Sequence, residues 1–456
     1  MKAKLTFCGG AGTVTGANFL LETNPTAGGK KILIDCGSHA QERVCDDANF
    51  AAFPYSPPEI DVLIVTHAHA DHIGRIPKLV RDGFKGVIYS TPATKDLAAL
   101  MFDDAIKVMR NEVLKHGCGM LYEVEHTERA LGLWKTVPYH EKFSIGDAQA
   151  EFLDAGHILG SAMVKLMRGD RTIIFSGDLG NFPEPLLNDP DSVAGANYLL
   201  IESVYGDRLH EERETRKARL REAIEATKER KGVLLIPSFS IERTQILLFE
   251  INDMVENEGL APIPIYLDAP LAISVTEVFR TYAELFNPRA KAHFESGDDP
   301  FKFPGLTVIR NKGESEAIHK EANPKVIIAG AGMSAGGRIR SHEKEYLPDE
   351  NASVLFVGYQ APGTLGRRIE DGVKSVEIDG ESVRVRAHID KLTGYSGHAD
   401  RDQLLSVVEN AGEGLEEVFV TMGEPKASMF LAQRIKDFLG VKASAPLVGD
   451  TKEINW

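Results

Sequence analysis

The stretch DVLIVTHAHADHIG (61–74) constrains this chain more than any other. An apolar, strand-like run ends in three histidines and an aspartate within six positions: His67, His69, Asp71 and His72. On extended backbone, side chains two apart point the same way, so His67 and His69 can reach one ion. Asp71 and His72 fall on the turn into the next helical pattern and address a neighbouring position. Neutral imidazole and carboxylate suit zinc or another first-row metal. Four such groups so close together suggest two metals rather than one. A histidine-rich surface turn is the poorer reading, because a strand leads directly in and a helix leads directly out.

A metal pair needs more donors than one turn supplies. His157 sits in LDAGHILGS after a strand pattern, Asp178 in IIFSGDLG at another strand end, and Asp35 in ILIDCGS at a third. Taken singly, each has an ordinary explanation, a hydrogen-bonded core histidine or a turn-forming aspartate before glycine. Placed at strand ends of one sheet beside the cluster, His157 and Asp178 become candidate ligands. Asp35 can orient a ligating histidine from behind.

The rest of the chain bounds the setting. At 456 residues it exceeds one ordinary core, so two domains, or one domain with a large insertion, are expected. The first part reads as short β-rich runs with Gly, Pro, Asn or Asp turns. GGAGTVTG (9–16) lies between two of these strands and reads as a tight hairpin rather than a dinucleotide loop. Near 207 the texture changes to strands alternating with helices, which implies a parallel α/β sheet with its own core. From about 373 it returns to β with a hairpin turning at Asp379-Gly380. The expected division is 1–206, an insertion over 207–372, and a return over 373–456.

Four scattered cysteines, Cys8, Cys36, Cys45 and Cys118, form no CxxC pair, which argues against a disulfide scaffold or a cysteine zinc knuckle. The net charge of −15 disfavours a protein that coats nucleic acid nonspecifically, but not an enzyme whose metals supply local positive charge. No stretch has the apolar length of a membrane helix and the start lacks a signal-peptide pattern, so the cytoplasm is the expected location.

In this order the residues resemble the metallo-β-lactamase fold superfamily, whose HxHxDH signature reads here His67-Ala68-His69-Ala70-Asp71-His72. The resemblance implies an α/β fold, a four-layer αββα sandwich, holding two metals at one edge of its sheets. It implies that His67, His69 and His157 bind the first metal, that Asp71 and His72 bind the second, and that Asp178 bridges them. Zinc is the expected metal, with manganese as an alternative. Metal-activated water would be the nucleophile, with a second ion steadying an in-line displacement at phosphorus.

Three further stretches narrow the branch: LLIESVYGDR (199–208) with Glu202, LTGYSGHADR (392–401) with His398, and the glycine-rich GAGMSAGGR (330–338). Together with IPSFSIERTQ (236–245) and GTLGRRI (363–369), they resemble the β-CASP nucleases, relatives of the nuclease subunit of the mRNA 3′-end cleavage machinery. The resemblance spans essentially the whole chain and implies a metal-dependent ribonuclease with an inserted α/β domain carrying a mainly parallel sheet. In that family the late histidine is the general acid and the acid of the ES-x-YG stretch holds it. This makes His398 the acid and Glu202 its partner, with Asp71 and Asp35 completing the catalytic set. A carboxylate beside a histidine raises its pKa, as a general acid requires. The glycine-rich loop, with Ser334, Gly336 and Gly337, suits a phosphate. Arg243, Arg338, Arg367 and Arg368 are the charges expected at the RNA strand.

One position departs from the family pattern. Members with the RNA-type pattern carry a further metal-binding histidine in a V-H-G-E context, where this chain has VFVTMGEP (418–425) with Met422. A thioether is a weak donor between carboxylates, so the second metal is expected to be held less tightly. DNA-processing members also lack this histidine, which keeps a DNA nuclease as an alternative to RNA. A small ester or thioester hydrolase and an RNA-binding scaffold without working metals are further alternatives. The insertion with Glu202 and His398 disfavours the first, and the complete donor set disfavours the second. Single-stranded RNA is the expected partner. Oligomeric state is open, a homodimer included.

Overall fold

The computed structural model describes residues 2–24, 28–39, 47–117, 119–210, 215–361 and 363–456. Cys45 and Cys118 lie outside them, whereas Cys8 and Cys36 are buried free thiols. The chain divides into two compact units, Met1–Leu209 with His398–Trp456, and His210–Gly397.

The first unit is built on two seven-stranded sheets. One runs in the order Thr451–Asn455, Lys2–Gly9, Asn18–Glu22, Lys31–Ile34, Val62–Ile64, Val87–Ser90, Trp134–Thr136. The other runs Lys442–Ser444, Glu417–Val420, Tyr198–Ile201, Arg171–Phe175, Ala162–Arg168, Ala148–Asp154, Lys142–Ile145. Each sheet is antiparallel in one half and parallel in the other. Sequence texture explains the difference. In Lys2–Gly9 burial alternates, with Leu5 and Phe7 inside and Lys4 and Thr6 partly exposed. The parallel strands Val62–Ile64 and Tyr198–Ile201 are buried throughout, as strands covered on both faces must be.

Phe7, Phe19, Phe152, Phe175, Phe419 and Trp456 meet in the core between the two sheets. Leu199, Ile201, Val418 and Val420 on the other face of the second sheet pack with Leu404, Val407 and Leu431 of helices Arg401–Glu409 and Pro425–Arg434. Helix Pro92–His116 lies against the first sheet, with Phe102 and Trp134 rings 6.3 Å apart. The layering is thus the expected αββα sandwich.

Strand direction then fixes where function can sit. Lys31–Ile34, Val62–Ile64, Ala148–Asp154, Arg171–Phe175, Tyr198–Ile201 and Glu417–Val420 all end at loops that carry Asp35, His67, His157, Asp178, Glu202 and Met422 respectively. The Gly9–Gly16 stretch joins antiparallel neighbours, a hairpin as its position between two strands suggests.

The second unit has a six-stranded, wholly parallel sheet: Leu306–Val308, Ile265–Asp268, Lys325–Ala329, Val233–Pro237, Ser353–Phe356, His388–Lys391. Helix Arg216–Arg230 covers it through Leu220, Ile224 and Thr227, which lie along one helical face. A two-stranded hairpin, Ser375–Ile378 with Glu381–Arg384, turns at Asp379 (φ 50°) and Gly380 (φ 80°), the positive pair a two-residue hairpin loop demands. This unit runs to Gly397 rather than to 372, because His388–Lys391 pairs in parallel with Ser353–Phe356. Among the described residues, no helix is long and apolar enough to cross a membrane.

Candidate metal centre and active site

His67 and His69 leave the strand Val62–Ile64, and Asp71 and His72 sit on the single turn Ala70–Ile73 that follows. Their placement depends on close backbone packing. A Cβ on Gly37 would lie 1.5 Å from the Asp71 carbonyl oxygen, so only glycine fits there. Gly177, with φ +55°, turns the chain so that Asp178 enters the centre while its own Cα passes against Thr66.

Two overlapping donor groups result. In the first, His67 Nε2 lies 3.1 Å from His69 Nδ1, and His157 Nε2 lies 3.2 Å from the same nitrogen. Asp178 Oδ2 stands 3.5 Å from His67 Nε2 and 3.7 Å from His157 Nε2. A tetrahedral ion with bonds of roughly 2.0–2.1 Å spaces its ligands roughly 3.3–3.4 Å apart, close to these four separations. In the second group, His72 Nε2 lies 3.4 Å from Asp178 Oδ1 and 4.0 Å from Asp71 Oδ2. Asp178 is thus shared, one carboxylate oxygen to each group.

The centre's charges and unpaired atoms fit cations. His72 Nε2 and Asp178 Oδ1 are buried with no hydrogen-bond partner among the described residues, a costly state unless something fills the space between. Burial, with the neighbouring imidazoles, holds His67 well below its ordinary range, leaving a neutral donor. For His72 burial acts in the same direction, yet Asp178 and Asp35 hold it well above its usual range. Burial would raise Asp178, but His72, His67 and His398 keep it well below the usual carboxylate range. Asp178 and Asp35 thus favour positive charge at His72, the charge that a cation held by these donors would supply instead.

A supporting layer holds the donors. Asp35 Oδ2 accepts from His72 Nδ1 at 2.7 Å and from the Thr66 hydroxyl at 2.8 Å, while Oδ1 accepts from the Thr66 amide at 2.8 Å. With Nδ1 engaged in this way, Nε2 of His72 is the atom aimed at the centre. The Thr66 hydroxyl also lies 3.1 Å from His67 Nδ1, tying two ligating rings to one carboxylate. Thr66 is the residue the sequence reading missed. A threonine closing an apolar strand passes for an ordinary β-former, and only its place directly before the first histidine hints at more.

Next to this centre stands the pair read as acid and partner. His398 Nδ1 lies 3.2 Å from Glu202 Oε1, and the same oxygen accepts the Leu179 amide at 2.7 Å. Burial lowers the His398 pKa, but Glu202, then Asp178 and Asp71, raise it to about 9. The His398 side chain is 25% exposed, so it faces solvent as well as the centre. Its Nδ1 also lies 3.9 Å from Asp178 Oδ2, close enough that Asp178, Glu202 and His398 form a third group able to hold an ion.

Met422 follows strand Glu417–Val420 and is 2% exposed. Its sulfur packs over Gly10 in the inter-sheet core, and its side chain lines a small cavity with Asp35, Thr66 and His72. It stands directly behind the second donor group without contributing a hard donor.

The residues assigned to the RNA strand all belong to the second unit. Arg338 is committed: its guanidinium donates to Asp268 Oδ1 at 2.5 Å and to the carbonyls of Ile309 and Arg310. Asp268 in turn accepts from His342 Nε2 and the Ser315 hydroxyl, making a buried network that anchors the glycine-rich loop. The Ser334 hydroxyl is buried and bonded to Glu343. Gly337 has φ +75°, and a Cβ there would meet the Gly330 carbonyl at 2.3 Å, whereas Gly336 has open space around it. Arg243 is largely buried, and Arg367 pairs with Asp371, which caps the carboxyl end of its helix Leu365–Glu370. Arg368 is exposed.

Comparison with known proteins agrees with this architecture. Residues 13–238 match the metallo-beta-lactamase superfamily, 244–369 the Beta-Casp domain, and 382–446 the Zn-dependent metallo-hydrolase RNA specificity domain. Ribonuclease TTHA0252 of Thermus thermophilus is 38% identical over 426 residues, 93% of this chain and 94% of that protein. Transcription termination factor FttA of Methanosarcina mazei is 31% identical over 460 residues, 97% of this chain and 70% of the factor. A crystal structure of a protein of unknown function from Enterococcus faecalis V583 shares the fold, with a TM-score of 0.56 at 12% identity over 100% of both chains. With three matched segments in the expected order and a relative similar along nearly its whole length, the chain belongs to the β-CASP family of metallo-β-lactamase-fold proteins.

Proposed function

We propose that this protein is a zinc-dependent ribonuclease that hydrolyses phosphodiester bonds in RNA processing or decay. The observation that carries the reading is the pair of donor groups sharing Asp178, with His398 and Glu202 beside them. His67, His69, His157 and Asp178 would hold one divalent ion, and Asp71, His72 and Asp178 the other. Bound there, such ions activate water and offset charge developing on phosphate oxygens. Asp35 and Thr66 fix the ring orientations that present those donors. Glu202 holds His398 protonated at neutral pH, and the ring's exposed side can deliver that proton to the leaving 5′ or 3′ oxygen. Arg368 and the backbone of the glycine-rich loop are the groups we assign to RNA phosphates. Arg338, Arg367, Arg243 and Ser334 act through loop and helix structure.

RNA is favoured over DNA by the matched RNA specificity domain and by the ribonuclease relative. Met422 is the observation that favours the DNA alternative. The experiment is to incubate the protein with one RNA labelled separately at each end, with and without chelator, beside a DNA of the same sequence. Chelator-sensitive cleavage of RNA in preference to DNA supports the reading, and the two labels distinguish internal cutting from trimming.

The second ion should be the weaker one. Its group has two carboxylates and one imidazole, with a thioether behind it. Wild-type protein is expected to lose one metal on dilution and to require added zinc or manganese. Met422 has φ +46°, a backbone region in which histidine is enriched, so Met422→His carries little backbone cost. That variant should retain the second ion and need less added metal. Equal, tight occupancy of both sites in wild type, unchanged by Met422→His, would make Met422 a packing residue only.

A further inference from the structure

A groove of about 680 Å³ lies at the amino ends of the parallel strands of the second unit. Arg230 closes the helix before Val233–Pro237, Glu350 and Asn351 precede Ser353–Phe356, and Arg386 precedes His388–Lys391. The glycine-rich loop leaves the opposite, carboxyl end of Lys325–Ala329. Groove and loop are therefore separate features of this sheet.

The groove's chemistry is unlike that of the chain as a whole. In a protein of net charge −15, its wall carries three permanent cations, Arg230, Lys374 and Arg386, and the exposed imidazole of His388, against one carboxylate. That carboxylate, Glu350, lies 3.5 Å from Arg386, but both side chains are largely exposed (75% and 49%), so the pair neutralises little. Arg230 is fixed in place, its Nη2 donating to the Ser353 hydroxyl at 2.6 Å, and its Nε is a buried donor with no partner among the described residues. Lys374 is exposed. The floor is apolar: Val373, Val385 and Ile389 pack onto the unit's core from this side. Cations grouped around an apolar floor, in a volume within the roughly 300–1,000 Å³ of small-ligand sites, match a ligand with a flat ring at one end and phosphate at the other.

We propose that this groove binds a nucleotide unit, with base and sugar on Val373, Val385 and Ile389 and phosphate among Arg230, Lys374 and Arg386. The unit can come from a free mononucleotide or from one nucleotide of an RNA strand. The proposal does not depend on cleavage at the metal centre.

The test titrates AMP, and separately a single-stranded ten-nucleotide RNA, into the full chain in chelator, where no cleavage occurs. Hydrogen exchange then locates the binding. Wild type should bind with slowed exchange at 372–374 and 385–389. The charge-reversed double variant Lys374→Glu/Arg386→Glu, altered only at exposed side chains, should bind at least about tenfold more weakly, a loss of about 1.4 kcal/mol. Loss with AMP assigns the groove to a free nucleotide, and loss with RNA alone assigns it to a strand. Absence of binding to wild type, equal binding by the variant, or protection confined to other segments would overturn the proposal. Inorganic phosphate binding as tightly as AMP would overturn the role of the apolar floor.

Discussion

Asp178→Ala is expected to abolish RNA cleavage and to empty both donor groups, a larger effect than any other single change at the centre. Its two oxygens serve different groups, Oδ1 facing His72 and Oδ2 facing His67 and His157. Removing it takes one donor from each site and, among the described residues, the one anion the two groups share. The loss should exceed the roughly 10–100-fold that follows removal of a supporting partner such as Asp35. His67→Ala should abolish cleavage too, but by damaging the first group alone. Metal analysis of both proteins after gel filtration checks this: both ions should leave Asp178→Ala, whereas His67→Ala should keep part of the second. Because Asp178 is buried, thermal melting in chelator separates metal loss from misfolding. Undiminished activity in either purified variant would remove that residue from the mechanism.

His398→Ala is expected to slow cleavage by roughly 10²–10⁴-fold while both ions stay bound. The ring is engaged by Glu202 at 3.2 Å and is a quarter exposed, so its removal opens no sealed cavity. Metal content is the informative measurement, because Asp178, Glu202 and His398 also form a group that could hold an ion. Full metal with slow cleavage assigns His398 to proton delivery. Loss of metal would make it a ligand and return the general-acid role to an unidentified group.

The centre was legible in the sequence to the extent that it is local. His67, His69, Asp71 and His72 declare themselves because a strand end and one helical turn fix their directions within six residues. His157, Asp178, Glu202 and His398 come from far along the chain. Singly they resemble turn and core residues; strand-end placement made His157 and Asp178 candidates, and the resemblance joined Glu202 and His398 to them. Thr66 stayed hidden because its hydroxyl works through Asp35, a partner 31 positions away. In the second unit Arg338 read as a charge for the RNA strand, yet Asp268, 70 positions distant, holds its guanidinium. The return from the insertion was placed too early for a related reason. Strand His388–Lys391 is short, polar and mostly exposed at the sheet's edge, so it shows no apolar pattern to mark it as part of the parallel sheet.

RNA cleavage is expected to depend on ions held by the two groups that share Asp178. The direct measurement strips the protein with chelator, restores zinc stepwise, and follows bound metal and cleavage of a labelled RNA in the same samples. The expected result is no cleavage in the stripped protein, a first tight ion, and activity that rises with the second, weaker one. Cleavage by metal-free protein, or full occupancy of both groups without any cleavage of RNA, would contradict it.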